Sequence, residues 1–119
     1  MQHLIMTSPG TSLTCEQYIH QMHRDAVVRL PRNIENIASS PGCKVQMMFE
    51  PGRVLSFQGH PEFNPRVSKS WLDQRYEEGE FSEDMYDEAL STLDDEHDGP
   101  AILGVICQFL LEPERSMWR

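Results

Sequence analysis

Cysteine is scarce in this chain and follows no pattern: Cys15, Cys43 and Cys107 are far apart and odd in number. That argues against a disulfide framework and points to a reducing, cytoplasmic setting. No Cys-x-x-Cys pair occurs, which removes the common structural zinc sites. No basic start leads into an apolar stretch, and no run is long enough to span a bilayer, so neither a signal peptide nor a membrane segment is expected. Cations are few as well, with ten Lys and Arg against nineteen Asp and Glu and a net charge of −9. The deficit is local. Residues 73–98 hold twelve acids opposed by Arg75 alone. A phosphate backbone is repelled by such a segment, so nucleic acid is not an expected partner. The run reads as a solvated acidic face on surface helices, or as a docking patch for a basic protein.

What is present is enough for one domain: 119 residues with an apolar fraction of 39%, sufficient to bury a single core. Residues 1–14, with Ser8-Pro9-Gly10-Thr11-Ser12, show no sustained period and read as an irregular start. Leu13 to His20 is consistent with a short strand. Ala26 to Pro31 reads as a strand closed by proline, and Asn33 to Ser40, with Ile34 and Ile37 at helical spacing, is too short to decide before the turn at Pro41-Gly42. Val45 to Phe49, the turn Glu50-Pro51-Gly52-Arg53 and Val54 to Phe57 form the clearest hairpin, because Pro-Gly is strong turn chemistry between two β-rich runs.

Three helices follow. Asn64-Pro65 pairs an N-cap with a proline at the first helical position, and Val67, Trp71, Leu72 and Tyr76 lie at helical spacing, which predicts Trp71 in the core. Ser82 with Glu83 and Asp84 opens the second helix, the acids suiting the positive end of its dipole. Asp98 and Pro100 open the third, where Ala101, Ile102, Val105, Ile106, Phe109 and Leu110 make an apolar surface broad enough to pack on a sheet. Cys107 within it reads as an ordinary buried or partly buried thiol.

The hairpin delivers the chain to Gln58-Gly59-His60-Pro61-Glu62-Phe63, between a strand and a helix. His60 and Glu62 are two apart, so an extended backbone presents both on one side. An imidazole held by a carboxylate is a general base with its tautomer fixed. This motif, with Met22-His23-Arg24-Asp25, Val27 and Leu30-Pro31 before it and Arg75-Tyr76, Gly79 and His97-Asp98-Gly99 after it, resembles the C-terminal part of class I glutamine amidotransferase-like domains of the stand-alone, GMP-synthase-like type, over about 100 residues.

The resemblance implies an α/β chain with part of a flavodoxin-like fold, residues 15–119 forming the family-like region. It implies His60 and Glu62 as two members of a Cys-His-Glu triad, His23 near the substrate, glutamine or a γ-glutamyl compound as substrate, and no cofactor. The nucleophile of that family sits on a Gly-x-Cys-x-Gly elbow. The sequence contains no such motif. Cys43 precedes a strand and reads as structural, while Cys15 is not excluded by spacing. A base and its orienter without a nucleophile are expected to give little turnover as an isolated chain. The early strands of the family's sheet are also missing from the sequence, so a partner completing the sheet, a reduced sheet or a truncated product are all open. Against the enzyme reading stand two others: a non-catalytic remnant that binds a protein through a sheet edge or the acidic helices, and a metal site assembled from His20, His23, His60 and Glu62.

Overall fold

The structure, a computed structural model, describes residues 2–7 and 14–112. Five strands precede three helices: β1 (Gln2–Thr7), β2 (Thr14–Ile19), β3 (Glu35–Ser40), β4 (Cys43–Glu50) and β5 (Val54–Phe57), then α1 (Pro65–Glu77), α2 (Glu83–Ser91) and α3 (Gly99–Leu111). The strands form one sheet in the order β2-β1-β3-β4-β5. The chain is therefore mixed α/β. A flavodoxin-like sheet is built on parallel strands, whereas every pairing within this sheet is antiparallel, a correction to that part of the expectation.

The hairpin predicted around Pro51-Gly52 is present, with Glu50 opposite Val54 and Met47 opposite Phe57. Gly52 adopts a positive φ of 69°, which glycine reaches without steric cost. Val45, Met47 and Phe49 turn one face of β4 inward, as a period of two requires. Pro41-Gly42 makes a second hairpin, joining β3 to β4. Ile34 and Ile37 have helical spacing, but pairing with β4 outweighs it, and Ile37 is buried in β3.

Three expectations fail for a shared reason: local sequence does not say which partner a segment finds. Residues 2–7, read as part of an irregular start, form β1 between β2 and β3; residues 8–13 of that stretch lie outside the described residues. Ala26 to Pro31 is irregular rather than a strand. Val28 there is 97% exposed, so β-branched residues without a neighbouring strand form no sheet. Trp71 is not core. It is 38% exposed, and the Arg75 guanidinium lies 5.3 Å from its ring centroid. The α1 residues that are buried are Ser68 and Leu72, because this helix packs against α2 rather than the sheet. Tyr76 and Tyr86 stack across that helix pair at 4.4 Å.

The core lies between the sheet and α3. Met6, Ile37, Ala38, Met47 and Phe49 form one buried cluster against Val105 and Phe109, and Leu4, Ile19 and Ile102 form a second against Ile106. Phe57 touches both. Each fully buried aliphatic side chain of this kind contributes roughly 1.5–3 kcal/mol. The broad apolar surface of α3 thus packs on the sheet as expected, but Cys107 points away and is exposed, contrary to the reading of a buried thiol.

The start of α3 is tied to β2 rather than capped in the usual way. Asp98 makes no side-chain cap. Its carboxylate accepts from the Tyr18 backbone N–H at 2.7 Å, and its own N–H donates to the Tyr18 carbonyl at 2.8 Å. Gly99 then passes so close to the loop after β5 that an added Cβ would collide with the Pro61 carbonyl oxygen and lie 2.8 Å from the His97 ring. Gly104, five residues on, has nothing within 4 Å. We expect Gly99→Ala to destabilise the protein by about 1–3 kcal/mol through overpacking. Gly104→Ala should stabilise it by about 0.5–1 kcal/mol through helix propensity. Denaturant unfolding of the two variants checks this opposition of sign.

Candidate active site

The two edges of the sheet meet at one point. β2 continues into His20 and β5 into His60, and these two residues form an antiparallel bridge outside the named strands. The His60 N–H donates to the His20 carbonyl at 2.8 Å. Just before it, the Gln58 N–H donates to the Gln46 carbonyl at 2.9 Å, holding the chain to β4. Gly59 lies between these bonds with the Gln21 side chain across it, where a Cβ would come within 2.7 Å of Nε2 and 3.0 Å of the His20 carbonyl oxygen. A side chain here would displace the Gln21 amide and crowd the His20 carbonyl.

His60 and Glu62 do meet, but not through an extended backbone. The Phe63 N–H donates to the His60 carbonyl at 3.2 Å, closing a four-residue turn with Pro61 at its second position, where a fixed φ suits the geometry. The turn brings His60 Nδ1 to 2.8 Å from Glu62 Oε1 and stacks the imidazole on Phe63 at 4.2 Å and 14°. Asn64 follows at once, its side chain accepting from the Val67 N–H at 3.0 Å to start α1. Two local devices, a Pro turn and an Asn cap, therefore fix the pair from its C-terminal side.

A carboxylate only accepts, so Nδ1 carries a proton and donates it to Glu62, and in the neutral ring Nε2 is the nitrogen with the lone pair. The pair is accessible, with side chains 33% and 56% exposed for His60 and Glu62. Partial burial pushes the Glu62 carboxyl upward, but the hydrogen bond from His60, a backbone hydrogen bond and the imidazole charge outweigh it and hold it below the ordinary glutamate value.

His23 lies elsewhere. It lines a cavity of about 560 Å³ together with Arg24, Cys43, Arg75, Glu80 and Phe81, and neither His60 nor Glu62 forms part of that wall. Its Nδ1 donates to the Asp25 carbonyl at 2.9 Å. The same carbonyl accepts from Gln58 Nε2 at 3.4 Å, which couples the His23 loop to the motif. On the far side of this cavity Glu80 pairs with Arg24 at 3.0 Å and Arg75 at 2.9 Å, so part of the acidic segment is neutralised within the fold.

Sequence reasoning missed the residues that support the motif from beneath. His20 is buried, and its ring lies 4.8 Å from that of His97. Burial first, and His97 second, lower its pKa. The His97-Asp98-Gly99 segment was visible as part of the resemblance, but its packing against His20 and Pro61 carries no local signal. Of the four residues of the metal reading only His60 and Glu62 meet, while His20 packs on His97 and His23 bonds the Asp25 carbonyl, and among the described residues no three His, Cys, Asp or Glu side chains are grouped to hold an ion.

None of the cysteines adjoins His60. Cys43 is buried and donates to the Val45 carbonyl at 3.3 Å, a structural setting. Cys15 lies on β2 five residues before His20, about 16 Å along the strand, too far for its thiol to reach the His60 ring. Cys107 is eight residues into α3 from Gly99, about 12 Å along the helix. Among the described residues no helix is long and apolar enough to cross a membrane.

No family model matches the chain, and no solved structure matches it. Curated relatives do. The chain is 34% identical over 94 residues to a glutamine amidotransferase-like protein of Schizosaccharomyces pombe, a match covering 79% of this chain and 38% of the relative. It is 39% identical over 71 residues to a Saccharomyces cerevisiae protein named for the glutamine amidotransferases, covering 58% of this chain and 28% of that one. With gamma-glutamyl peptidase 2 of Arabidopsis thaliana the identity is 26% over 98 residues, 82% of this chain and 40% of the peptidase. The chain thus spans well under half the length of the relatives it matches.

Because the Glu62 carboxyl is held low in part by its His60 partner, removing that partner should weaken the downward shift. In His60→Ala the opposing effect of burial remains, and carbon-detected NMR should find the Glu62 carboxyl titrating higher than in the unaltered protein. The sign carries over to stability. A depressed carboxyl stabilises the fold above its ordinary pKa, and that contribution is lost as pH falls through the depressed value. The stability difference between the two proteins should therefore narrow in acid.

Proposed function

We propose that this chain, which is similar over part of its relatives' length to glutamine amidotransferase-like proteins, belongs to the class I glutamine amidotransferase-like group and supplies the base and orienting carboxylate of a Cys-His-Glu triad acting on glutamine or a γ-glutamyl amide. The observation that carries this reading is the His60–Glu62 contact at 2.8 Å, with Nε2 left as the proton acceptor. His60 takes the proton of a cysteine thiol, and the thiolate attacks the amide carbon to give a tetrahedral intermediate. The same imidazole returns the proton to the departing nitrogen, and ammonia or an amine leaves a γ-glutamyl thioester. Water, deprotonated by His60, then hydrolyses the thioester. Glu62 keeps Nδ1 protonated and stabilises the imidazolium that forms twice in the cycle.

The thiol is not among the three cysteines of this chain, given the burial of Cys43 and the distances of Cys15 and Cys107. Turnover on this reading needs a cysteine elbow from outside the sequence, and the chain alone is inactive. His23 is assigned to the wall of the substrate cavity. Its ring is held by the Asp25 carbonyl, which also receives Gln58 from the motif. The gamma-glutamyl peptidase relatives support a γ-glutamyl group as the part of the substrate recognised.

A second reading is a non-catalytic module that binds another protein through a sheet edge or the acidic helices. A glutamine-mimicking diazo-ketone separates the two. The isolated chain should acquire no adduct at any cysteine by mass spectrometry. When the chain is combined with a polypeptide carrying the Gly-x-Cys-x-Gly elbow, ammonia release should appear, and His60→Ala should lower kcat by about 10²–10⁴-fold, the usual worth of a positioned base. Unchanged turnover in that variant contradicts the triad assignment. A stable complex without any turnover supports the binding module.

A further inference from the structure

Between the end of β2 and the helices α1 and α2 lies a small, partly open cavity of about 40 Å³, with His20, Gln21 and Ser68 as its polar walls and Phe63, Leu72 and Leu93 among the apolar ones. His20 is 5% exposed and Ser68 3%. Four buried polar atoms on these residues have no hydrogen-bond partner within the protein: His20 Nε2, both Nε2 and Oε1 of Gln21, and Ser68 Oγ. An orphaned polar atom in an apolar interior is costly, and buried polar groups are nearly always paired. These four atoms belong to three residues that border one cavity.

We propose that this cavity is a specific site for internal water, held by His20 Nε2, the Gln21 amide and Ser68 Oγ, and that the water fixes the segment from which His60 is positioned. A single water needs roughly 10–15 Å³ and two to four polar partners; the site offers more than that volume and four atoms. The chemistry fits water and little else. The walls include an amide with both a donor and an acceptor, a hydroxyl that does either, and an imidazole nitrogen whose role follows its tautomer. Only a ligand that donates and accepts within a few ångströms satisfies that set, and the space is too small for a metabolite.

The consequence reaches the motif through the backbone. The His20 carbonyl receives the His60 N–H, and Gln21 lies across Gly59. Water held by the side chains of His20 and Gln21 therefore tethers the underside of the motif to Ser68, in the first turns of α1. Ser68, Gln21 and His20 act as positioning residues, and the inference does not depend on the amidotransferase reading.

Long-lived internal water is detected by cross-relaxation from water to the Gln21 side-chain amide protons in NMR spectra of the full chain. The account predicts such a signal in the unaltered protein and its loss or marked weakening in Ser68→Ala, together with a lower Tm despite the better helix propensity of alanine. No signal in the unaltered protein would overturn the proposal. A signal undiminished in Ser68→Ala would remove Ser68 from the site, and a raised Tm in that variant would mean that its hydroxyl had been an unsatisfied orphan. Should Ser68→Ala unfold, Ser68→Thr retains a hydroxyl and should keep the signal; its absence there, in a folded protein, would equally contradict the assignment.

Discussion

One backbone hydrogen bond, from the His60 N–H to the His20 carbonyl, determines how the rest of this structure becomes a site. It joins the outermost strands of a five-stranded sheet, since His20 prolongs β2 and His60 prolongs β5. Sheet edges expose unpaired backbone groups, and a fold must cover or pair them. Pairing them at their ends turns a liability into an anchor. The chain emerging from that anchor turns immediately at Pro61 and enters α1 at Asn64, so the imidazole is fixed on both sides within a few residues.

The anchor is itself supported. Asp98 grips Tyr18 through two hydrogen bonds, Gly99 packs against the Pro61 carbonyl, and His97 lies against His20. The start of α3 is therefore the floor of the motif, while the remainder of the helix closes the core with Ile102, Val105 and Phe109. Core stability and site geometry are coupled through one helix. The acidic character of residues 73–98 has a comparable double use, because Asp73 on α1 and Glu78 and Glu80 after it are engaged with Lys69, Arg24, Arg75 and Tyr86, while the acids of α2 face solvent.

The parts of this design that could be read from the sequence are those written in local chemistry. Pro51-Gly52 announces a hairpin, Asn64-Pro65 a helix start, Ser82 with its acids another, and His-Pro-Glu an imidazole beside its carboxylate. The parts that could not are contacts between distant segments. β1 has no pattern of its own and becomes a strand because β2 and β3 flank it. Val28 has the residue type of a strand and no partner, so it stays exposed. Trp71 follows helical spacing, yet the surface it meets is Arg75 rather than a core. Even the dyad was found for a reason that needed revision, since proximity of His60 and Glu62 comes from a turn and not from strand alternation. His23 lines a cavity apart from the dyad, and the Asp25 carbonyl that links it to Gln58 carries no sequence signal at all.

Everything proposed for chemistry rests on the orientation of one imidazole. Its tautomer is measurable by long-range proton–nitrogen NMR of the isolated chain at a pH where the ring is neutral. The account predicts that neutral His60 carries its proton on Nδ1, hydrogen-bonded to Glu62, with Nε2 free to accept. A predominant Nε2–H form would contradict it, because the nitrogen facing a thiol would then already hold the proton it is meant to take.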